Sequence, residues 1–419
     1  MTSKLEDLIA KLCPNGVEYK ALKKCVFKID NIKWKNYNGN DKSYIDLSSV
    51  DIDRHIVICY QSINAVSAPS RAQQIIKKND VLFGTTRPML RRYCIIDDLY
   101  NDEICSTGFC VLRANPDVVL PRWIYHIIST NDFFAYIENN QNGASYPSIS
   151  DSLVKDFEIP VPPLEVQSEI VRILDTFTEL TAELTAELTA RKKQYEYYRD
   201  TLLTFNDNNP LHSLISRYCP NGVEYKKIGD IASVDRGGSL QKKDFCEHGI
   251  PCIHYGQIYT KYGLFASKSY TFIDSECASK QRFAHKNDIV MAVTSENIED
   301  VCKCVAWFGE EDVAVSGHSA IIRHNQNAKY LVYYFHSSMF FLQKKKLAHG
   351  TKVIEVTPSD LLDVKIPVPP LEVQRQIVQI LDRFDALCND LTQGLPAEIE
   401  ARRKQYEYYR DQLLTFKRA

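Results

Sequence analysis

The chain has 419 residues, 44% of them apolar and 25% charged, an ordinary make-up for a water-soluble globular protein. Its formal net charge of -2 excludes a uniformly basic nucleic-acid binder, so any contact with DNA has to come from local clusters of Lys and Arg. No apolar run approaches the ~18 residues of a membrane helix, and MTSKLEDLIAKL lacks the basic start and apolar core of a secretory signal; the expectation is a cytoplasmic protein with no membrane partner.

From the N-terminus, Leu5, Leu8, Ile9 and Leu12 stand at helical spacing. CPNGVEYK at 13–20 comes next, and its Pro-Asn-Gly dictates a turn with Asn15 or Gly16 at positive φ. From about 21 to 158 the strand-like runs SYIDLSSV, HIVICY, DVLFG, YCIID and GFCVLR are separated by turn residues. A helical stretch stands at 121–140, with Pro121 suited to its first turn. Then come a polar loop, QNGASYPSIS, and a strand, DFEIPVP. IPVPPLEVQ at 159–167 opens a helix predicted from Glu165 to Phe205, roughly 60 Å long. One apolar stripe runs along it through Ile170, Leu174, Phe177, Leu184, Leu188, Tyr195, Tyr198, Leu202 and Phe205. Its middle, LTAELTAELTA, is a four-residue repeat rich in helix formers.

The order then starts again. CPNGVEYK recurs at 219–226, and PCIHYGQI, DIVMAVTS, CKCVAWF and SAIIR read as strands. Residues 328–349 read as a helix, GTKVIEVTPSD as a loop and DVKIPVP as the closing strand. IPVPPLEVQ returns unchanged at 366–374, and a second helical run over 372–416 carries Ile377, Leu381, Phe384, Tyr406, Tyr409 and Leu413. It ends KQYEYYRDQLLTF where the first run ends KQYEYYRDTLLTF. Gly394 and Pro396 are expected to kink or break it. Internal repeats of this kind set the architecture. The fold class is α+β, with two mixed α/β globules separated by two long antiparallel helices that pair as a coiled coil, in a pseudo-two-fold repeat. The chain divides into a repeated segment at 1–20, a globule at 21–158, a central repeated region with its spacer helix at 159–226, a second globule at 227–365 and a C-terminal repeated region with its helix at 366–419.

No phosphate loop, H-E-x-x-H, G-x-S-x-G or paired C-x-x-C is present, so no catalytic residue and no cofactor of the chain's own is expected. Among the 13 cysteines only Cys302 and Cys304 sit close, without the second pair a structural zinc requires, so reduced core thiols and no metal are expected. Two divergent globules on a stiff stalk suit a ruler, and DNA half-sites come about one helical turn, ~34–36 Å, apart. In the first globule Lys33 and Lys35 flank Trp34, TTRPMLRR supplies Arg87, Arg91 and Arg92 after a strand, and the loop after the helix offers Ser145 and Tyr146. In the second, DRGGSLQKK supplies Arg236, Lys242 and Lys243 beside flexible glycines, Thr294 and Ser295 stand where TTRP stands in the first, and Lys344, Lys346 and Lys352 lie farther on. Arg and Lys suit phosphates and guanine edges. Any one of these residues fits a solvated charge as well as a contact; as a set the basic loops point to DNA. Leu174, Phe177, Leu184, Leu188, Tyr195, Tyr198, Leu381, Phe384, Tyr406 and Tyr409 are expected to pack in the helical stalk or meet a partner.

Two divergent globules, each ending in IPVPPLEVQ, an I-V-x-I-L-D segment and an R-[KR]-K-Q-Y-E-Y-Y-R-D helix end, resemble over the whole chain the specificity subunit of type I restriction-modification systems. The resemblance implies that the globules are target recognition domains, each reading one half of a split double-stranded DNA site. It implies helices that set the gap and dock two methyltransferase subunits, which carry S-adenosylmethionine and methylate adenine, with endonuclease/translocase subunits joining them. The chain itself would be a non-catalytic subunit. A bivalent DNA-binding regulator without enzymatic partners is the alternative, and stable co-purification with a methyltransferase separates the two.

Overall fold

Every repeated motif holds a strand or a helix end in place. In the computed structural model, which describes residues 3–419, the chain divides into two compact units. One comprises the residues up to Ala186 together with Glu398–Ala419; the other is Glu187–Ala397. These units cut across the linear segments, because the C-terminal helix belongs with the N-terminal globule.

The first unit contains two four-stranded sheets. One runs Val26–Phe27, Phe109–Ala114, Val81–Gly84, Tyr93–Ile95, antiparallel throughout. The other runs Gln61–Ile63, Lys42–Ile45, Ile104–Ser106, Ala72–Ile75, with its central pair parallel. Strand Val81–Gly84 is apolar throughout because both its faces are covered. Val81 and Phe83 enter the core that includes Trp123, Phe133 and Ile170, while Leu82 enters a second core with Ile45 and Val111. In the second unit Ile289 and Met291 alternate with Val290 and Ala292 between two cores in the same way.

The frame around the first unit comes from the repeats. Tyr19–Ala21, from CPNGVEYK, pairs antiparallel with Glu158–Pro160. Trp123 is fully buried and donates its Nε1–H to the Pro160 carbonyl at 3.0 Å. Gln167, also fully buried, accepts the Leu120 N–H at 2.9 Å and donates to the carbonyls of Val118 and Pro162 at 2.9 and 2.8 Å. That clamp fixes the start of helix Pro121–Ile128 on the start of the long helix. Asp175 accepts from His126 at 2.9 Å, and the other His126 nitrogen meets the Tyr406 hydroxyl at 2.8 Å. Burial holds the His126 imidazole below its ordinary pKa, against the pull of Asp175. Phe177 stacks on Tyr409 at 5.4 Å, and Asp411 accepts from Asn131.

The second unit repeats this frame with different side chains. Tyr225–Lys227 pairs with Lys365–Pro367. Tyr330 donates to the Pro367 carbonyl at 2.9 Å. Gln374, fully buried, accepts the Asn327 N–H at 3.0 Å and donates to Pro369 and Gln326. Tyr333 and Lys329 both bond Asp382 at 2.6 Å. Phe384 stacks on Tyr198 at 5.2 Å, and Asp200 receives the Ser338 N–H.

The long helix runs Leu164–Leu202, 39 residues. Its last carbonyls, Thr201 and Leu202, are satisfied by the buried Asn209, whose amide also donates to the Thr204 carbonyl just beyond the helix. The second run is two helices, Leu371–Asn389 and Leu395–Leu413, broken where the sequence places Gly394 and Pro396. A Cβ on Gly394 would stand 2.6 Å from the Ala386 carbonyl oxygen, so only glycine passes there. Pro396 sits in the first turn of the second of these helices, where its missing N–H costs nothing.

Several expected elements come out differently. The helix expected over 121–140 is two, Pro121–Ile128 and Asn131–Asn140, because the Thr130 hydroxyl caps the second by accepting from the Phe133 N–H. Ser337 does the same between Ala328–Phe335 and Ser338–Leu347. HIVICY is not a strand: His55 has φ 53° and Ile56 and Ile58 are exposed. PCIHYGQI is a strand only through Ile253, after which His254 caps helix Tyr255–Thr260.

Candidate nucleic-acid interface

In the first unit the basic loops hang on the sheet through backbone bonds. Thr85 leaves strand Val81–Gly84 with both its N–H and its hydroxyl on the Gly108 carbonyl. Thr86 bridges to Ser148, and the Arg87 N–H donates to Pro147 at 2.7 Å. The loop before Ser148 turns at Gly143, whose φ of 101° suits glycine. Arg87, Ser145 and Tyr146 are exposed, and the Arg87 guanidinium lies 4.2 Å from the centre of the Tyr146 ring. Arg91 is exposed too, lying over Phe134 with Asn131 as a partner. Arg92 differs: half-buried, it donates to the carbonyls of Leu47 and Val50 at 2.6 and 3.1 Å, which ties the neighbouring turn down. Lys33 and Lys35 are exposed because Trp34 between them is anchored, its Nε1–H on the Ala72 carbonyl.

In the second unit the corresponding pairing is Thr294 with Glu355 and Ser295 with Ile354. The turn again depends on a glycine, Gly350, at φ 102°. Arg236 is exposed and ion-paired with Glu355. Arg282, which the sequence pattern did not single out, is exposed and donates to the Arg236 carbonyl at 3.0 Å. Lys242, Lys243, Lys346 and Lys352 are exposed. Gly237 and Gly238 are not flexible spacers. A Cβ on Gly237 would run into the Ser316 carbonyl oxygen, so the chain passes there only as glycine.

Two expected contacts are corrected. Lys344 is 5% exposed, and its ammonium donates to the carbonyls of Glu299 and Val301 at 2.9 and 2.6 Å. It braces a turn, and desolvation lowers its pKa. Thr294 is also 5% exposed, a strand residue whose carbonyl accepts from the Tyr259 hydroxyl. Its neighbour Ser295 is half-buried.

The stalk positions lie inside the units. Leu174 belongs to the first unit's core, where Phe177 meets Tyr409 and Tyr406 meets His126. Tyr195 and Leu381 are buried in the second, with Phe384 stacked on Tyr195 and Tyr198. Leu184 and Leu188 are half-buried. Outside these contacts Tyr197 and Tyr408, at equivalent places in the two KQYEYYRD segments, are 66% and 59% exposed. No helix among the described residues is long and apolar enough to cross a membrane.

Residues 16–191 and 220–401 each match the family described as "Type I restriction modification DNA specificity domain". The chain is 38% identical over 281 residues to a type I restriction enzyme specificity subunit of Escherichia coli, a match covering 64% of this chain and 65% of that relative. It is 31% identical over 308 residues to a putative type I restriction enzyme specificity subunit of Haemophilus influenzae, covering 70% and 72% of the two chains. In fold it is similar to a chain solved in work on complex assembly and conformational transition of the type I R-M system, with TM-score 0.64, 24% identity and coverage of 96% and 98%. It is also similar in fold to a type I restriction-modification S subunit from M. genitalium, with TM-score 0.54, 14% identity and coverage of 96% and 97%.

Proposed function

The chain belongs to the type I restriction modification DNA specificity family, and from that premise we propose that it is the DNA-recognition subunit of a type I restriction-modification complex. Each unit reads one half of an interrupted double-stranded site through its exposed basic loops, and the helical stalk sets the gap between the halves. The stalk also docks two methyltransferase subunits, and endonuclease/translocase subunits join that assembly in the cytoplasm. S-adenosylmethionine belongs to the methyltransferase subunits, which perform the chemistry; this chain supplies recognition and spacing.

One observation carries the reading. The two units share a frame down to individual bonds, yet the loops on that frame differ. Trp123 and Tyr330 donate to the same proline carbonyl of the repeated motif, and Gln167 and Gln374 make the same clamp. On that common frame the first unit shows Arg87 and Tyr146, and the second Ser295, Lys352 and a Glu355–Arg236 pair. A constant scaffold with two variable surfaces is the form a reader of two different half-sites requires.

The test is co-expression with a type I methyltransferase subunit from the same organism in a host lacking other adenine methylation, then single-molecule sequencing of modified bases. A single interrupted motif, methylated on both strands and dependent on this chain, is expected. Methylation that ignores sequence, or a chain that does not co-purify with the methyltransferase, overturns the proposal.

A further inference from the structure

We infer that Arg87 reads a guanine base in the half-site recognised by the first unit; the inference rests on the function proposed above. Its backbone is fixed before any ligand arrives. Its N–H is bonded to Pro147, the preceding Thr86 is bridged to Ser148, and Pro88 behind it is buried. Those closures hold Arg87 at φ 49° and ψ 57°, a left-handed conformation that non-glycine residues adopt only when surroundings enforce it.

The side chain is held as well. The guanidinium lies over the Tyr146 ring at 4.2 Å, and Tyr146 is itself 70% exposed. Stacking restrains the planar fork and leaves its edge open. Among the described residues the Arg87 side chain makes this contact and no hydrogen bond or ion pair. Its neighbours are committed elsewhere: Arg92 to the carbonyls of Leu47 and Val50, and Arg91 to Phe134 and Asn131. A restrained fork with unfilled donors matches the O6 and N7 acceptors of guanine in the major groove, two parallel bonds that no other base pair presents in the same form. A phosphate needs charge more than orientation, and the exposed, unrestrained Lys33 and Lys35 suit that task. The second unit has Ser295 at the place of Arg87, so this reading belongs to one half-site only.

The experiment uses the full chain with its methyltransferase subunit and reads methylated motifs genome-wide for wild type, Arg87→Lys, Arg87→Ala and Tyr146→Phe. Arg87→Lys keeps the charge and loses the fork. Both Arg87 variants should relax one guanine position in one half-site, with discrimination there falling about 10-fold or more, while the other half-site stays as in wild type. Retention of that second half-site shows that the variants fold and assemble. Tyr146→Phe keeps the ring under the guanidinium, so it should relax that guanine position less than either Arg87 variant does and leave the other half-site as in wild type. A wild-type motif that Arg87→Lys leaves intact, or an Arg87→Ala chain that loses methylation evenly with no position relaxed, marks a phosphate contact and overturns this inference alone. A wild-type complex that methylates without sequence preference overturns the function and this inference together.

Discussion

Gln167 and Gln374 show what a repeated residue is for. Each is fully buried, and each uses both ends of its amide on backbone groups that would otherwise be orphaned. Truncation leaves those partners unpaired in a dry site. Gln167→Ala should lower the stability of the first unit by about 2–4 kcal/mol, and Gln374→Ala that of the second by a similar amount, in urea unfolding. Negligible effects in both would show that the clamp does not hold the units together. A second prediction concerns His336, half-buried in the second unit with Nδ1–H on the Val332 carbonyl. Burial pushes its pKa down from 6.5 to about 4. The unfolded chain therefore takes up a proton near pH 6.5, while the folded chain resists until about pH 4. Stability is fully present above pH 6.5 and declines as pH falls through that window, by about 3 kcal/mol at most. His55, also held down at about 4 by burial, adds to the same slope in the first unit. His336→Gln should flatten the pH dependence of urea unfolding between pH 6.5 and 4 in the second unit. These residues differ in how readable they are. The glutamines stand inside an exact repeat, but nothing local marks His126 and Tyr333 as partners of the same aspartate pair, since only the common spacing connects them. Lys344 was misplaced because lysine at a helix end reads as solvent-facing unless the waiting carbonyls of Glu299 and Val301 are known.

At the scale of elements, the long helix and the break in its counterpart were legible because they rest on local chemistry. Leu, Glu and Ala favour the helix, Pro162 and Pro163 stop it upstream, and Gly394 marks the interruption. The splits at Thr130 and Ser337 were not, because apolar periodicity runs through both and one capping hydroxyl decides the matter. HIVICY misled for the opposite reason: Ile56, Val57 and Ile58 run together as β-branched residues, yet among the described residues the segment forms an isolated bridge, Val57 with Val50, and not a ladder. The LTAELTAELTA stretch lies where one compact unit gives way to the other. Its threonines bond back along the helix, Thr181 to the Phe177 carbonyl and Thr185 to that of Thr181. Removing one four-residue unit shortens the helix by roughly 6 Å and rotates its C-terminal part by about 40°. Methylome sequencing of that deletion should show a gap shorter by one or two base pairs with both half-sites unchanged. An altered half-site, or the original gap, would count against the stalk as spacer.

For the whole molecule, the repeat announced two similar halves, and each unit does carry the same frame. What the linear order concealed is the closure of the first unit from both chain ends. Val17 donates its N–H to the Lys417 carbonyl and accepts from Ala419, and Tyr19 donates to the Phe416 carbonyl. In the second unit the same CPNGVEYK segment comes after the long helix within one continuous stretch, through helix His212–Tyr218. Such long-range pairing has no local signature.

The bonds that seat each globule on its frame tolerate exchange. An indole or a phenol reaches the proline carbonyl, an imidazole or a phenol meets the aspartate, and Arg122 or Lys329 completes that site. An insert therefore has to satisfy only a few sockets to seat properly, whatever its outer loops carry. Because the peptide on either side of those sockets is spelled alike twice, a globule moved from one position to the other would meet the same carbonyl, glutamine and aspartate and should seat there.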